Sequence, residues 1–161
     1  MNELLNKISS YNIFNYLLPG ILFAILAGGI IDRSLVQRDV LVGLFLYYFL
    51  GLVISRFGSL IVEPLLKALK FVKFANYKDF VGASQKDAKF DVLSEVNNMY
   101  RTLASMFLLL LLLKGYVRLE DKFPRLKPWN FAILLGLLLV MFLFSYRKQT
   151  SYITKRISAN K

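Results

Sequence analysis

This sequence contains four long apolar blocks, and a water-soluble domain of this size rarely contains so many. The blocks cover residues 12–31, 40–56, 102–119 and 129–146, and none contains Asp, Glu or His. Each approaches the ~20 apolar residues that an α-helix needs to cross the hydrocarbon core of a bilayer. The sequence predicts an all-α integral membrane protein, in which residues 1–161 form one membrane domain with a four-transmembrane-helix bundle.

A charged segment, residues 57–101, joins the second block to the third. Apolar residues continue at helical spacing after the second block, namely Leu60, Leu65, Leu66, Leu69 and Phe74. We expect an amphipathic helix over residues 59–74 that leaves the membrane or lies along its surface, and a turn at the Gly-Ala-Ser of residues 82–84. Residues 90–101 recover helical spacing and run directly into the third block. The segment is therefore predicted to be a helical cytoplasmic hairpin.

Proline interrupts two of the predicted helices. Pro19 lies inside the first block, and Pro64 follows the second block. Proline has no backbone N–H group, and its ring clashes with the preceding helical turn. We expect a kink or a helix start near Leu18, and either a bend or a fresh first turn at Pro64.

The first block has an alternative interpretation as a secretory signal peptide, with the AILA of residues 24–27 as its cleavage site. The residues before the block are barely basic, and three further apolar blocks follow it. Both features favour a spanning helix.

Small residues recur at four-residue spacing along the first two blocks and just beyond them. The two sets are Gly20, Ala24 and Gly28, and Gly43, Gly51, Ser55 and Ser59. Faces of small residues let membrane helices approach closely, so we expect these two faces to meet. Because so small a bundle then offers more packing surface than one chain can bury, we also expect a homo-oligomer.

Positive charge is distributed unevenly along the chain. Of the 21 Lys and Arg residues, 14 lie in the N-terminal segment, in the central segment with its flanking Arg56 and Arg101, and in the C-terminal tail. The other 7 lie in the two remaining loops, residues 32–39 and 114–127. Cytoplasmic loops carry the excess of Lys and Arg in multi-pass proteins. Both termini and the central hairpin are therefore predicted to be cytoplasmic.

The central segment interleaves basic and aromatic residues. Its lysines include Lys67, Lys70, Lys73 and Lys78. Such a series could bind single-stranded nucleic acid. For a segment that emerges from a bilayer, attraction to anionic lipids, at roughly 1 kcal/mol per cation, is the simpler account. These lysines are candidate partner- or lipid-binding residues, and direct nucleic-acid binding is not expected.

A polar patch precedes the third block. Its candidate residues are Glu95, Asn97, Asn98 and Arg101. Two consecutive asparagines in a helix need a reason, because Asn is a poor helix former. The patch is either solvated helix surface, a hydrogen-bonding surface across an oligomer axis, or a site for a cytosolic partner. Arg101 and its counterpart Arg56 either anchor in the headgroups or form an ion pair with Glu63 or Glu95.

Catalytic and cofactor-binding signals are missing from the sequence. The chain contains no Cys and no His, which removes thiolate metal sites and the usual general base near neutral pH. It contains no HExxH, no GxSxG and no Gly-rich phosphate loop. The absence of acidic groups at membrane depth argues against an ion-coupled transporter. We expect neither an enzyme nor a cofactor.

Three stretches carry a resemblance to a known family: FNYLLPG at residues 14–20, ISRFGSLIVEP at residues 54–64 and SEVNNMYR at residues 94–101. They resemble small bacterial four-span proteins, and in particular the membrane subunit of the Kiwa phage-defence system. That family is a four-helix inner-membrane oligomer that works with a separate cytosolic DNA-binding subunit. The resemblance covers the whole topology, and no functional residue is carried over from it. It implies a multi-pass protein of the bacterial inner membrane.

Two functions follow from these expectations. The first is a homo-oligomeric membrane sensor or anchor whose basic hairpin docks a cytosolic protein, in bacterial antiviral defence. The second is a pore-forming channel, assembled from several copies, that depolarises the membrane. The side chains around a central axis distinguish the two functions, because a polar or basic passage favours the channel and an apolar centre favours the scaffold.

The predicted orientation can be tested by cysteine labelling, since the chain has no Cys of its own. In intact cells, a membrane-impermeant thiol reagent should label Gln37→Cys and Lys122→Cys but not Lys86→Cys. Strong labelling of Lys86→Cys from outside would contradict the orientation.

Overall fold

The computed structural model describes residues 12–87 and 89–159. Within these ranges the chain forms helices and connecting loops, with no strand. Four helices are long and apolar enough to cross a membrane: Ile13–Ile31, Val40–Ala68, Lys89–Lys122 and Pro124–Ser158. The expectation of an all-α chain with four candidate spans is confirmed.

The first of these helices begins with a wide turn in front of a proline. A π-helical turn covers Ile13–Leu17, and an α-helix that we call α1 follows over Leu18–Ile31. The Leu18 N–H donates to the Ile13 carbonyl five residues back. Pro19 then occupies the first turn of α1, where a missing N–H is tolerated. The expected helix start near Leu18 is confirmed.

The second of these helices also contains a π-helical turn in front of a proline. Helix α2 covers Val40–Phe57, and the Asp39 side chain caps it by accepting a hydrogen bond of 2.9 Å from the Val42 N–H. A π-helical turn over Gly58–Val62 follows, and α3 covers Glu63–Ala68 with Pro64 in its first turn. Of the two alternatives at Pro64, the structure therefore has the fresh first turn.

Helix α3 ends earlier than the sequence pattern predicts. Lys70 has a φ of 58°, in the left-handed region that disfavours side chains with a Cβ. The Lys70 N–H donates to the Lys67 carbonyl at 3.0 Å and the Phe71 N–H donates to the Leu66 carbonyl at 2.9 Å, which are the two bonds of a Schellman cap. The predicted amphipathic helix to Phe74 is wrong in its second half, because this cap satisfies the last carbonyls.

A helix replaces the turn predicted at residues 82–84. Helix α4 covers Tyr77–Lys86 and passes through Gly82 without interruption. Val81 is only 3% exposed, and α4 packs on the two long helices that follow it. Burial of the apolar face outweighs the cost of about 1 kcal/mol for Gly82 in a helix interior.

The last two helices are long. Helix α5 covers Lys89–Lys122 without a break, so residues 90–101 do continue into the third apolar block. A 3-10 turn over Pro124–Trp129 leads to α6, Asn130–Ala159. The basic C-terminal tail is therefore helical through Ala159 and prolongs α6 well past the end of the fourth apolar block at Tyr146.

Helices α1 and α2 touch through a reciprocal pair of glycines. The Cα of Gly51 lies against the carbonyl of Tyr16, and the Cα of Gly20 lies against the carbonyl of Tyr47. A Cβ at either glycine would collide with the opposing carbonyl oxygen. Each helix thus carries a tyrosine four residues before its glycine, and the antiparallel pair brings the two motifs together. Close backbone approach of this kind supports weak Cα–H···O contacts.

The other small residues predicted to pack have mixed positions. Ala24 is 1% exposed and Ser55 is 5% exposed, but Gly28 faces the carbonyl of Arg33 in the following loop, and Gly43 faces the ring of Tyr47 on its own helix. A strict four-residue spacing drifts off one face of a helix that has 3.6 residues per turn. For this reason Ala27 rather than Gly28 is buried in α1.

The apolar core joins three of the four long helices. It consists of Ala27 from α1, Ile54 from α2, and Met106 and Leu110 from α5. Helix α6 lies outside this core. It packs along α2, where the rings of Phe49 and Phe142 stack with centroids 6.2 Å apart, and it makes almost no direct contact with α5. Most apolar side chains of α6 are consequently exposed.

The reciprocal glycine contact leads to a prediction. Gly20→Ala should lower the free energy of unfolding by about 1–3 kcal/mol, because the added methyl group forces two backbones apart. Gly29→Ala is the matched control on the same helix, since no atom lies within 4 Å of a Cβ there. Thermal unfolding followed by circular dichroism in mild detergent measures both. Equal midpoints for the two variants would contradict the contact.

Candidate interhelical polar cluster and basic surface

A break in helical hydrogen bonding creates an acceptor for a lysine from another helix. The Glu63 N–H donates to the Gly58 carbonyl, five residues back. The next donor in this register would be Pro64, which has no N–H, so the Ser59 carbonyl has no helical partner. Lys148 of α6 donates to that carbonyl at 2.5 Å and to the Ser59 hydroxyl at 2.8 Å. The proline thereby attaches α6 to the π-helical turn.

Glu63 joins the same cluster to α5. Its side chain is 9% exposed and accepts from Arg101 Nη1 at 2.6 Å and from Lys67 Nζ at 2.8 Å. Lys67 lies one helical turn beyond Glu63, whereas Arg101 comes from α5. The ion pair between Arg101 and Glu63, one of the two alternatives for this arginine, is therefore formed. We call Ser59, Glu63, Lys67, Arg101 and Lys148 the polar cluster.

The cations of the polar cluster shift the pKa values of its carboxyl and amine groups. Glu63 and Lys148 lie beyond the ends of the apolar blocks. Burial raises the pKa of the Glu63 carboxyl, but the hydrogen bond from Lys67, the charge of Lys148 and the contact with Arg101 together hold that pKa below its usual value. Burial lowers the pKa of the Lys148 amine below its usual value; the charge of Glu63 acts in the opposite direction, and the charges of Arg101, Lys67 and Arg56 lower the pKa further. One carboxylate thus faces three cations, Lys67, Arg101 and Lys148.

Part of that positive charge has no partner. Arg56 forms no hydrogen bond or ion pair with any residue that the structure describes, although it lies near enough to Lys148 to affect its charge. The Nε of Arg101 is buried and has no hydrogen-bond partner among the described residues. Among the described residues, Lys148 donates hydrogen bonds to two neutral oxygens of Ser59 and lies 5.7 Å from the centre of the Tyr152 ring. The cluster can therefore hold a further negative group.

A second contact brings the central segment to the C-terminal part of α6. The rings of Tyr77 on α4 and Tyr152 on α6 stack with centroids 6.2 Å apart and planes inclined by 30°. Beside them, an open cleft is lined by Lys78 from α4 and by Lys155 from α6, with the hydroxyl groups of Thr154 and Ser158. Two basic regions that are far apart in sequence therefore share one surface.

The four predicted lysines do not act alike. Lys67 is partly committed, since it pairs with Glu63 and lies 3.9 Å from the centre of the Phe74 ring. Lys70 holds the left-handed cap position, and Lys73 is exposed. Lys78 lines the cleft. Together with Lys155, the three uncommitted lysines form what we call the basic surface.

The polar patch before the third block is divided between two roles. Arg101 belongs to the polar cluster, and the carbonyl of Asn98 accepts a hydrogen bond of 2.8 Å from Thr102. Asn97 is exposed and Glu95 is half-buried. Glu95 forms no ion pair with any described residue, so the alternative pairing of Arg101 with Glu95 is not observed.

The opposite end of the bundle has a smaller polar contact. Tyr116 Oη donates to Asn130 Oδ1 at 2.7 Å, and Asn130 Nδ2 donates to Glu120 Oε1 at 2.6 Å. This contact ties the end of α5 to the start of α6. Polar bonds therefore fix α6 at both of its ends, while α5 and α6 scarcely touch between them.

Several residues at these sites were not identifiable from sequence patterns. Lys148 and Tyr152 sit in a tail that looks like ordinary basic sequence, and Gly58, whose Cβ would lie 2.5 Å from the Ser105 hydroxyl, is one residue away from the predicted Ser59. Asn15 is 1% exposed, and its side-chain oxygen has no hydrogen-bond partner among the described residues. The one usable signal was Pro64, which leaves carbonyls of the preceding turn without donors.

No protein-family model, curated protein or solved structure matches this chain. Among residues 12–87 and 89–159, no group of three or more acidic side chains is placed to hold a metal ion. The function proposed below consequently rests on the contacts of the chain itself.

The polar cluster gives a direct stability prediction. Glu63→Gln should lower the free energy of unfolding by about 1–3 kcal/mol, because Arg101 loses its charged acceptor in a largely buried position. Glu95→Gln is the matched control, since that carboxylate pairs with no described residue. The unfolding midpoint in mild detergent compares the two, and an unchanged midpoint for Glu63→Gln would contradict the cluster.

The lowered pKa of Glu63 fixes the sign of a pH effect. A carboxyl with a depressed folded-state pKa contributes its full stabilisation above its ordinary value, here 4.5, and loses it as the pH falls through the folded-state pKa. The unfolding midpoint of the wild type should therefore fall as the pH drops below 4.5, and Glu63→Gln should fall less. Parallel acid curves for the two proteins would contradict this assignment.

Proposed function

We propose that this protein is a homo-oligomeric sensor or anchor in a bacterial inner membrane, which docks a cytosolic protein partner on its basic surface. Both termini and residues 57–101 lie in the cytoplasm in this proposal. The 14 to 7 distribution of Lys and Arg supports that orientation, and the four apolar helices are compatible with a multi-pass protein.

One observation carries the proposal: the basic central segment and the basic end of α6 share a surface. The Tyr77–Tyr152 stack holds α4 against α6, and the cleft beside it contains Lys78 and Lys155. Three of the four lysines of the basic surface, Lys70, Lys78 and Lys155, lie on helices or at a helix cap, and Lys73 lies in the loop between α3 and α4. A rigid array of like charges favours a partner with an acidic face, because charge complementarity speeds and orients docking.

A helical support for this surface argues for docking rather than for a flexible tether. Helix α6 continues from its apolar span to Ala159 without a break, and the Lys148–Ser59 bonds fix its position against the π-helical turn that precedes α3. A change within the bilayer that moves α6 would therefore move Tyr152 and Lys155 with it. This linkage is the physical basis for a sensor that signals to a soluble partner.

The homo-oligomer in the proposal is supported by the exposure of α6. The small-residue faces of α1 and α2 contact each other within one chain, so they leave little for a second copy. Helix α6 instead exposes a wide apolar face, including Leu135, Leu139 and Leu143. Neighbouring copies would meet there in competition with lipid.

A role in antiviral defence is proposed from the resemblance to the Kiwa membrane subunit. The cytosolic partner in that family is a DNA-binding subunit, so nucleic acid would be contacted by the partner and not by this chain. The basic surface would then bind acidic protein surface, and the membrane around it would supply anionic lipid.

The test is charge reversal on the uncommitted lysines, Lys70→Glu, Lys73→Glu and Lys78→Glu in one variant. Partner capture should be lost while membrane insertion and particle mass stay unchanged, because spanning helices are stabilised by the bilayer and by each other. Affinity purification in mild detergent, with mass spectrometry, measures partner capture. Cysteine labelling checks that the orientation is retained.

Two controls separate docking from the pore. A variant with Lys114→Glu and Lys122→Glu carries reversed charge at the opposite end of the bundle and should still capture the partner. Planar-bilayer recording on the purified wild type should show no current. Retained capture by the triple variant would contradict the docking surface, and a current from the wild type alone would favour the pore-forming channel.

A further inference from the structure

We propose that Arg56, Arg101 and Lys148 hold the phosphate of one anionic phospholipid, whose acyl chains lie between α5 and α6. This inference rests on the membrane insertion proposed above and not on the cytosolic partner. The site is distinct from the exposed lysines of the basic surface.

The first step is the charge balance of the polar cluster. Both oxygens of Glu63 are already occupied, one by Lys67 and the other by Arg101. Lys148 forms no ion pair within 4 Å with a carboxylate of the described residues, since its hydrogen bonds go to the Ser59 carbonyl and hydroxyl. Arg56 bonds no described residue. Three cations lie around one carboxylate, and Arg56 adds a fourth positive charge close to Lys148. Such a half-buried excess of cations is costly without a counterion, and a phosphate would supply the missing negative charge.

The second step concerns the donors that remain available. The buried Nε of Arg101 has no acceptor among the described residues, and the whole guanidinium of Arg56 is uncommitted. Arginine presents planar, paired N–H donors that match two oxygens of a phosphate. Arg56 precedes Ser59 by three residues on the same continuous helix, so it lies about one helical turn from the Lys148 contact. The ligand that fits these donors is a phosphate ester.

The third step separates a lipid from free phosphate. Arg56 ends the second apolar block, Arg101 immediately precedes the third, and Lys148 follows the fourth by two residues. In the proposed membrane protein this is the level of the headgroup phosphates. Between this level and the Tyr116–Asn130 contact at the opposite end, the backbones of α5 and α6 are not closely packed. Exposed apolar side chains in the parts of these helices nearest the cluster include Phe107 and Leu111 on α5 and Phe144 on α6. Acyl chains would fill this opening directly above a phosphate at the cluster.

Native mass spectrometry of the full chain, released from nanodiscs, tests the site. Nanodiscs containing phosphatidylglycerol and phosphatidylcholine in equal amounts should yield protein that retains phosphatidylglycerol preferentially. Arg56→Gln should reduce that retention about fivefold, as expected for one cation near the surface. Lys148→Gln should reduce it as well, while Lys155→Gln, exposed on the same helix, should leave it unchanged. Arg56→Gln is the cleaner variant because it breaks no contact of the fold.

The possible results distinguish a bound lipid from free phosphate. They also distinguish failure of this site from failure of the proposed membrane insertion. Equal retention of the two lipids by the wild type, or full selectivity in Arg56→Gln, would overturn the lipid site. If inorganic phosphate removes the phosphatidylglycerol selectivity completely, the ligand is free phosphate and the lipid is overturned. Failure to enter nanodiscs would overturn membrane insertion and this site with it, whereas lost selectivity after normal incorporation would overturn the site alone.

Discussion

The attachment of α6 depends on a carbonyl that Pro64 leaves without a helical donor. In an uninterrupted helix the Ser59 carbonyl would already accept a hydrogen bond from a backbone N–H group of the next turn. The π-helical turn and the proline together make it an acceptor, and Lys148 bonds it at 2.5 Å. Because α6 takes no part in the core of α1, α2 and α5, this bond and the nearby Tyr77–Tyr152 stack determine where its polar end lies.

The interactions that hold the helices together within the apolar blocks differ from those beyond the blocks. Within the apolar blocks, contact depends on shape, and the glycines at positions 20 and 51 let α1 and α2 approach to backbone distance. Beyond the blocks, contact depends on charge, and Glu63 gathers Arg101 and Lys67. Shape contacts are insensitive to salt and pH, whereas the charged cluster responds to both. A signal that acts on lipid headgroups would therefore act on the cluster first.

Sequence reasoning predicted the helical class, the four candidate spans and the helix start near Leu18, because length and hydropathy dominate those features. It failed at residues 82–84, where burial of Val81 keeps a helix running through Gly82, and at Phe74, where the Lys70 cap ends α3 early. It named the Arg101–Glu63 pair as one alternative. It could not identify Lys148 as a partner of Ser59. The spacing of residues in the sequence does not reveal the π-helical turn that leaves the Ser59 carbonyl without a backbone donor.

The attachment of α6 through the acceptor that Pro64 creates is tested most directly by a distance measurement in a bilayer. Spin labels at Lys78→Cys and Lys155→Cys, in a chain with no other cysteine, report the gap between α4 and the end of α6. The wild-type background should give one narrow, short distance distribution. Pro64→Ala restores a backbone donor to the preceding turn. This donor competes with Lys148 for the Ser59 carbonyl and leaves the Ser59 hydroxyl as the one uncontested acceptor, so the distribution should broaden towards longer distances. A distribution that stays narrow and short in Pro64→Ala would contradict the account.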